Sequence, residues 1–451
     1  MKRLVRIVVF LIVLVLPVTV SGGIGGMLKM NEMMGDIENR PEGFTSDMIS
    51  SPEYDPDKPT VGVVLGSDNS EILDVLIPYE LFSATGKYNV YTVSPTNNLT
   101  TLSGGLDIIP HYSFEELNEL VGGDLDVLVV PAIFYTANVE YDSVREYIKG
   151  HSGSQTTILS ICAGAENLAD AGLLDYVPAT THFGDMVKLK MMYRDVDWVK
   201  GKRYVVYDNV VTTAGITSGI DGSLYVISQM FGEETAKSVA EELNYHDLQY
   251  VNDPTMEHFG LGLPDVIALL NGGYHWITNK DGVLLYEGME ETALGTIFDA
   301  HTISGTTSTR TIGETVSPIK TKNGLFIVPR YTKDTWPSIE RMVVTGTNAL
   351  HDKEKYSSVV EALPEGVELV YLHAKEPERF ILEPALEDLA KQTNNPTATF
   401  AAKRLEYRAD ALELEGPRFA LGVTLLPIVL LFLSLLLAII LDKRFFRKRW
   451  N

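Results

Sequence analysis

The stretch Thr157-Ile-Leu-Ser160-Ile161-Cys162-Ala163-Gly164-Ala-Glu-Asn-Leu-Ala169 decides how this chain is read. Thr157 to Ile161 is a short apolar β-type run and a helical pattern starts at Ala165, so the backbone must turn sharply at Cys162. A strand turning into a helix with a small residue two places after the bend exposes the side chain at its tip and aims helical N–H groups at it. The thiol is therefore expected to ionise more readily than free cysteine, because a helix N-terminus favours the thiolate. The competing reading is a buried, inert cysteine.

Working outward, the same alternation recurs. Thr60 to Leu65 is a strand, Ile72 to Ala84 an amphipathic helix, Val90 to Ser94 a strand and Phe114 to Val121 a helix. Leu125 to Pro131 is a continuous apolar strand of the kind buried on both faces, and Val139 to Lys149 is helical. Val205 to Tyr207 and Val210 to Thr213 form a hairpin, followed by helices at Asp221 to Met230 and Glu233 to Leu243. Strands alternating with helices predict a parallel α/β sandwich.

Two further side chains belong to the candidate chemistry. His182 ends the short strand Ala179-Thr-Thr-His182, and loops after neighbouring parallel strands meet at one sheet edge, so the imidazole is expected near the thiol. Asp74, in Asp74-Val-Leu-Ile-Pro78, can reach the same edge, where a carboxyl could steer the thiol or exchange a proton with it. Against these stand a histidine bonded to its own loop and a solvated helix carboxylate. The Ala163 N–H is the expected donor to a developing negative charge.

In these residues the chain resembles the ThiJ/PfpI family of the class I glutamine amidotransferase-like superfamily. The resemblance runs from about Pro59 to Leu243 and is carried in family order by the helix Asp74 to Phe82, by Ile161-Cys-Ala-Gly164, by Ala179-Thr-Thr-His182 and by Ala214-Gly-Ile-Thr-Ser-Gly-Ile-Asp221. It implies a flavodoxin-like three-layer sandwich, with Cys162 as the reactive cysteine, Asp74 as the acid facing the elbow and His182 as the histidine near the thiol. The last two motifs look closest to the branch holding isonitrile hydratases and the sensor domains of AraC-type regulators. Two departures stand out. Ala163 occupies the place of the histidine that follows the nucleophile in the protease-like branch, which argues against peptidase activity through that pair. Pro131-Ala-Ile133 replaces the Pro-Gly-Gly of many members, so side chains narrow the pocket there.

A weak repeat points to a duplicated domain. Gly282-Val-Leu-Leu285 echoes Gly62-Val-Val-Leu65, Gly324-Leu-Phe-Ile-Val-Pro-Arg-Tyr331 echoes Gly105-Leu-Asp-Ile-Ile-Pro-His-Tyr112, and Met342 to Thr345 echoes Leu128 to Pro131. On that register Leu294 falls at Asp74, and His373 with Lys375 falls near Cys162 and Gly164, so the second copy is degenerate. The expected organisation is a signal peptide or N-terminal anchor over 1–23, a linker over 24–58, the family-like domain over 59–247 and a degenerate α/β domain over 260–405. A transmembrane helix over 419–441 and a basic cytoplasmic tail over 442–451 complete it. The two copies are expected to pack as an intrachain pseudo-dimer, with a homodimer as the other arrangement.

Lys2, Arg3 and Arg6 precede the apolar run Ile7 to Val20, and 23 uncharged residues from Phe419 to Leu441 precede Lys443, Arg444, Arg447, Lys448 and Arg449. Cationic flanks stay in the cytoplasm, so the body is expected outside the cell membrane, held by one or two spans. Of 37 basic and 60 acidic residues in the 451, that body carries 29 and 59, about −30, and no basic cluster lies within it, which excludes nucleic acid as a partner. One cysteine cannot close an intramolecular disulfide, and no Cys/His set has zinc spacing, so neither metal nor cofactor is expected. Two functions follow. One is a tethered enzyme in which Cys162 attacks a small electrophile in hydratase, hydrolase or amidotransferase-like chemistry. The other is a non-catalytic sensor or binding module using the same pocket for a metabolite or oxidant.

Overall fold

The computed structural model describes residues 2–34, 39–134, 140–153 and 155–447. Part of the expected linker (35–38), the first residue of the helix expected at Val139, and the tail beyond 447 lie outside the described residues.

The first half supplies β1 (Thr60–Val64), β2 (Asn89–Ser94), β3 (Thr100–Leu102), β4 (Leu106–Ile109), β5 (Tyr112–Ser113), β6 (Val127–Val130) and β7 (Thr157–Ser160). After the elbow come β8 (Pro178–Ala179), β9 (Asp197–Trp198), β10 (Tyr204–Tyr207) and β11 (Val210–Thr213). One sheet runs in the order β10-β11-β7-β6-β1-β2-β5, parallel except for the β10–β11 hairpin. Alternate residues of its strands serve opposite faces. Val61, Val63 and Val129 pack with the helices Ile72–Ala84 and Ile216–Phe231, while Val64, Leu128 and Val130 pack with Phe114–Val121, Glu140–Gly150 and Gly164–Asp170. Burial on both faces explains the continuous apolar runs of β1 and β6 and gives the flavodoxin-like three-layer sandwich.

The second half supplies β12 (Asn279–Leu284), β13 (Thr307–Gly313), β14 (Ile319–Lys320), β15 (Phe326–Val328), β16 (Tyr331–Thr332), β17 (Arg341–Val344) and β18 (Glu368–Tyr371). Its parallel sheet reads β16-β13-β12-β17-β18, the order β5-β2-β1-β6-β7 of the first sheet strand for strand. A third sheet, β14-β15-β4-β3, joins the halves: Phe326 pairs Ile109, Ile327 pairs Ile108 and Val328 pairs Asp107. Two antiparallel hairpins, β3–β4 and β14–β15, thus meet edge to edge through β4 and β15.

Two expectations are corrected. The linker does not begin at residue 24, because the first helix runs unbroken from Lys2 to Met33. Its end is held by packing: the Gly104 N–H donates to the Met33 carbonyl at 2.8 Å, and the Gly25 backbone abuts Gly273. The strand carrying Ala179 is no neighbour of β7 in the main sheet; β8 pairs with β9 alone. His182 therefore owes its position to the loop after a separate ribbon, and not to a shared sheet edge.

Candidate functional site

β7 ends at Ser160, and the Ile161 N–H donates to the Val130 carbonyl at 3.0 Å, which holds the chain in the sheet to the last residue before the bend. Cys162 then takes φ +56°, the left-handed region that non-glycine residues seldom occupy. Strain there is tolerated only where surroundings enforce it. They do: the Thr181 hydroxyl donates to the Cys162 carbonyl at 3.1 Å, and Gly164 runs so close to β6 that an added Cβ would lie 2.2 Å from the Val130 oxygen. Ala163 caps the helix Gly164–Asp170, and its N–H is the hydrogen-bond donor to the thiol.

The acid helix brings two carboxyls to this bend. Glu71 caps it by accepting from the Asp74 N–H at 2.7 Å, and Asp74 accepts from the Ala132 N–H at 3.0 Å. Each keeps a second oxygen, Glu71 Oε1 and Asp74 Oδ1, buried without a hydrogen-bond partner. Desolvation raises Asp74 to about 7, opposed by the Ala132 hydrogen bond, and carries Glu71 well above its usual value with Asp74 and Asp299 adding repulsion. Both carboxyls are thus poised to hold protons near neutrality. Ala132, in the Pro-Ala-Ile segment, spends its N–H on Asp74, while the Ile133 side chain packs on Gly66.

The expectation of an easily ionised thiol is corrected. Burial pushes Cys162 well above its ordinary value, the charges of Asp74, Asp185 and Glu71 push it further, and the Ala163 N–H only partly opposes them. The helix behind it has seven residues, too short a dipole to offset three acids and a dry environment.

His182 is also held differently from expectation. Its Nδ1 accepts from the Gly184 N–H at 3.3 Å and lies 3.5 Å from Asp185, while Nε2 hydrogen-bonds the Arg404 carbonyl at 3.0 Å. Both ring nitrogens are occupied, so the imidazole ties the elbow loop to the helix Asn395–Arg404 of the second half.

That helix end is the part of the site sequence reasoning missed. The Arg404 guanidinium pairs with buried Asp299, its charge also reaching Glu71 and Cys162. Leu405 accepts from the Thr217 N–H, and Glu406, itself at φ +56°, accepts from the Gly215 N–H at 2.6 Å and the Ser218 hydroxyl at 2.7 Å. Residues 404–406 thus occupy the Ala214–Asp221 motif and close the elbow from outside. A cavity of about 230 Å³ opens beyond them, lined by Thr217, Tyr245, Tyr250, Glu406 and Tyr407 among others, and Cys162 is not among its walls. Glu71 had a legible signal, an acid at the first turn of the acid helix; Arg404 stands 242 residues beyond Cys162 in a segment with no motif. Among the described residues no cluster of His, Cys, Asp and Glu could hold a metal ion.

Comparison with known proteins finds relatives of the first half of the chain. The DJ-1/PfpI family profile matches residues 60–229. An isonitrile hydratase from Pseudomonas putida is 30% identical over 179 residues, covering 38% of this chain and 73% of that protein. Protein DJ-1alpha of Drosophila melanogaster is 29% identical over 138 residues, covering 30% of this chain and 61% of that protein. A solved ThiJ/PfpI family protein from Pseudomonas syringae aligns at 22% identity and a TM-score of 0.36, over 46% of this chain and 83% of that one.

Proposed function

This chain belongs to the DJ-1/PfpI family, and on that premise we propose that it is a membrane-tethered protein whose Cys162 attacks a small electrophilic carbon. The observation that carries the reading is the left-handed elbow at Cys162 with the Ala163 N–H on the sulfur and two buried, proton-holding carboxyls beside it. The thiol rests protonated. In the ionised fraction of Asp74, present near pH 7 because its carboxyl is raised only to about 7, the carboxylate takes the thiol's proton as sulfur bonds to the electrophile and passes it to the substrate, and the Ala163 N–H stabilises the charge that develops. His182 positions the loop and moves no proton, since both its nitrogens are engaged. Hydration of an isonitrile-like compound fits this chemistry, and the hydratase relative supports it.

Two helices, Lys2–Met33 and Leu421–Leu441, contain stretches long and apolar enough to cross a membrane. The body is assigned the extracytoplasmic side by the basic residues at both chain ends, and Arg6 pairing with Asp442 sets the two cytoplasmic ends level. The two halves form an intrachain pseudo-dimer in which the second copy closes the first copy's site.

A second reading, a sensor or binding module, is favoured by the raised thiol and by the seal at residues 404–406. Turnover of a small isonitrile, nitrile and aldehyde by the full chain distinguishes the two. The enzyme reading expects activity that falls at least about 10³-fold in Cys162→Ser and about 10²–10⁴-fold in Asp74→Asn, and that survives His182→Ala. No turnover by the wild type or by Glu406→Ala, which removes the seal's anchor, leaves only the sensor.

A further inference from the structure

Arg6 and Asp442 fix the register of the two apolar helices, which run antiparallel. At about 1.5 Å per residue, the 21-residue helix Leu421–Leu441, which ends one residue before Asp442, spans about 30 Å, and the same rise from Arg6 ends near Met27. A third helix, Val266–Tyr274, meets the first just below that level. Its Gly273 carbonyl abuts Gly25, and the Tyr274 hydroxyl donates to the Val18 carbonyl at 2.9 Å, nine residues and about 13 Å below Met27. The last turn of this helix therefore enters the apolar layer from the body's side, with Gly273 beside Gly25 near its boundary and the Tyr274 hydroxyl reaching deeper to Val18.

Its composition matches that depth. From Val266 to Asn279 there is no charged residue. One face is accounted for by protein: Ile267 and Asn271 are buried, Asn271 donates to the Thr397 hydroxyl at 3.0 Å, and Asp265 at its start pairs with Lys403. The rest stands bare, with Leu263 89%, Ile277 88% and Leu269 75% exposed, and with Leu261, Trp276 and Val266 exposed beside them. Single exposed apolar side chains are ordinary; six within 17 residues, continuous with two apolar helices, form a surface that water does not solvate favourably. Trp276, exposed beside them, is a residue type that settles at a membrane interface, whereas the Tyr274 hydroxyl is spent on the first helix.

We propose that residues 261–277 lie in the interfacial layer of the bilayer on the body's side, as a non-spanning lipid contact that seats the domains on the membrane. This rests on the reading that Lys2–Met33 and Leu421–Leu441 span. The occupant is the zwitterionic lipid surface, because an acidic body gains nothing from anionic headgroups.

The test uses the full chain with Cys162→Ala as background, reconstituted in phosphatidylcholine nanodiscs, with nitroxide labels at Ile277→Cys, Leu269→Cys, Val429→Cys in the second span and Lys87→Cys on the body. Power saturation compares collisions with oxygen, which partitions into lipid, and with a water-soluble nickel chelate. The expected result is an oxygen-to-nickel ratio at Ile277 and Leu269 several-fold above that at Lys87 and approaching that at Val429, unchanged when anionic lipid is added. A Lys87-like ratio at both, with Val429 in lipid, overturns the proposal alone. A Lys87-like ratio at Val429 as well overturns the spanning reading beneath it. Protection from both reagents at Ile277 and Leu269 means a second copy or another protein covers the face, and overturns it too.

Discussion

At Asp74 the first turn of a helix, the N–H of Ala132 and a dry interior compete for one carboxyl, and the interior prevails. Its proton affinity, raised to about 7, exceeds that of an unfolded aspartate, so the folded protein binds the extra proton across the acid-to-neutral range. The sign follows: the stabilisation is fully present below the unfolded value near 3.8 and is lost as pH rises through about 7. Thermal melts from pH 4 to 8 should show the midpoint falling toward neutrality, and Asp74→Asn should flatten that fall. It should not abolish it, since buried Glu80, raised to about 8 by desolvation and Glu291, contributes in the same sense. Parallel slopes for wild type and variant would remove Asp74 from the buried-acid account. The sequence marked Asp74 and Cys162 because residue type and local bend are local properties. It misjudged the thiol's ionisation because burial and the approach of Glu71 and Asp185 depend on the whole packed site.

At the scale of elements, the alternation of apolar runs with helical segments made β1, β6, β7 and the acid helix legible. The helix Ile72–Ala84 has the expected bounds, but it is buried on every side from Ile72 to Phe82 and is not the amphipathic helix expected, because the second half covers its outer face. Two-residue pieces such as β8 and β9 carry too few positions for any period, so their pairing could not be read. The elbow depends on close approach between elements. Gly164→Ala would drive a Cβ to 2.2 Å from a carbonyl oxygen of β6 and 3.0 Å from the Pro131 carbonyl carbon, where no side chain can yield. Stability should fall by about 1–3 kcal/mol or more, read from denaturant midpoints, with alkylation of Cys162 accelerating as the elbow loosens. Gly123→Ala, whose Cβ would meet nothing within 4 Å, is the control. Equal stability of both variants would show that the elbow is not packed as described.

For the whole molecule, the repeat was legible where it is built into the joint. Gly105 to Tyr112 and Gly324 to Tyr331, the segments whose sequences agree best, contain β4 and β15, which pair with each other. Pairing across the joint constrains both segments alike, whereas at the positions matching Asp74 and Cys162 the second half carries Leu294 and, nearby, His373. What could not be read was closure of the first copy by residues 404–406, a contact set by how the halves dock. One continuous apolar core runs from β1 through the acid helix to the second sheet, with Gly295 packed on Leu73 and Leu76. The halves should therefore melt together. Ile327→Asp puts a charge in a position 1% exposed, opposite Ile108, and should cost about 4 kcal/mol or more. Because the core is shared, calorimetry should show one transition moved to lower temperature, with Cys162 alkylation rising in the same interval. Two transitions, with only one displaced and Cys162 still protected through it, would mean that the halves are independent and that the second copy does not guard the first.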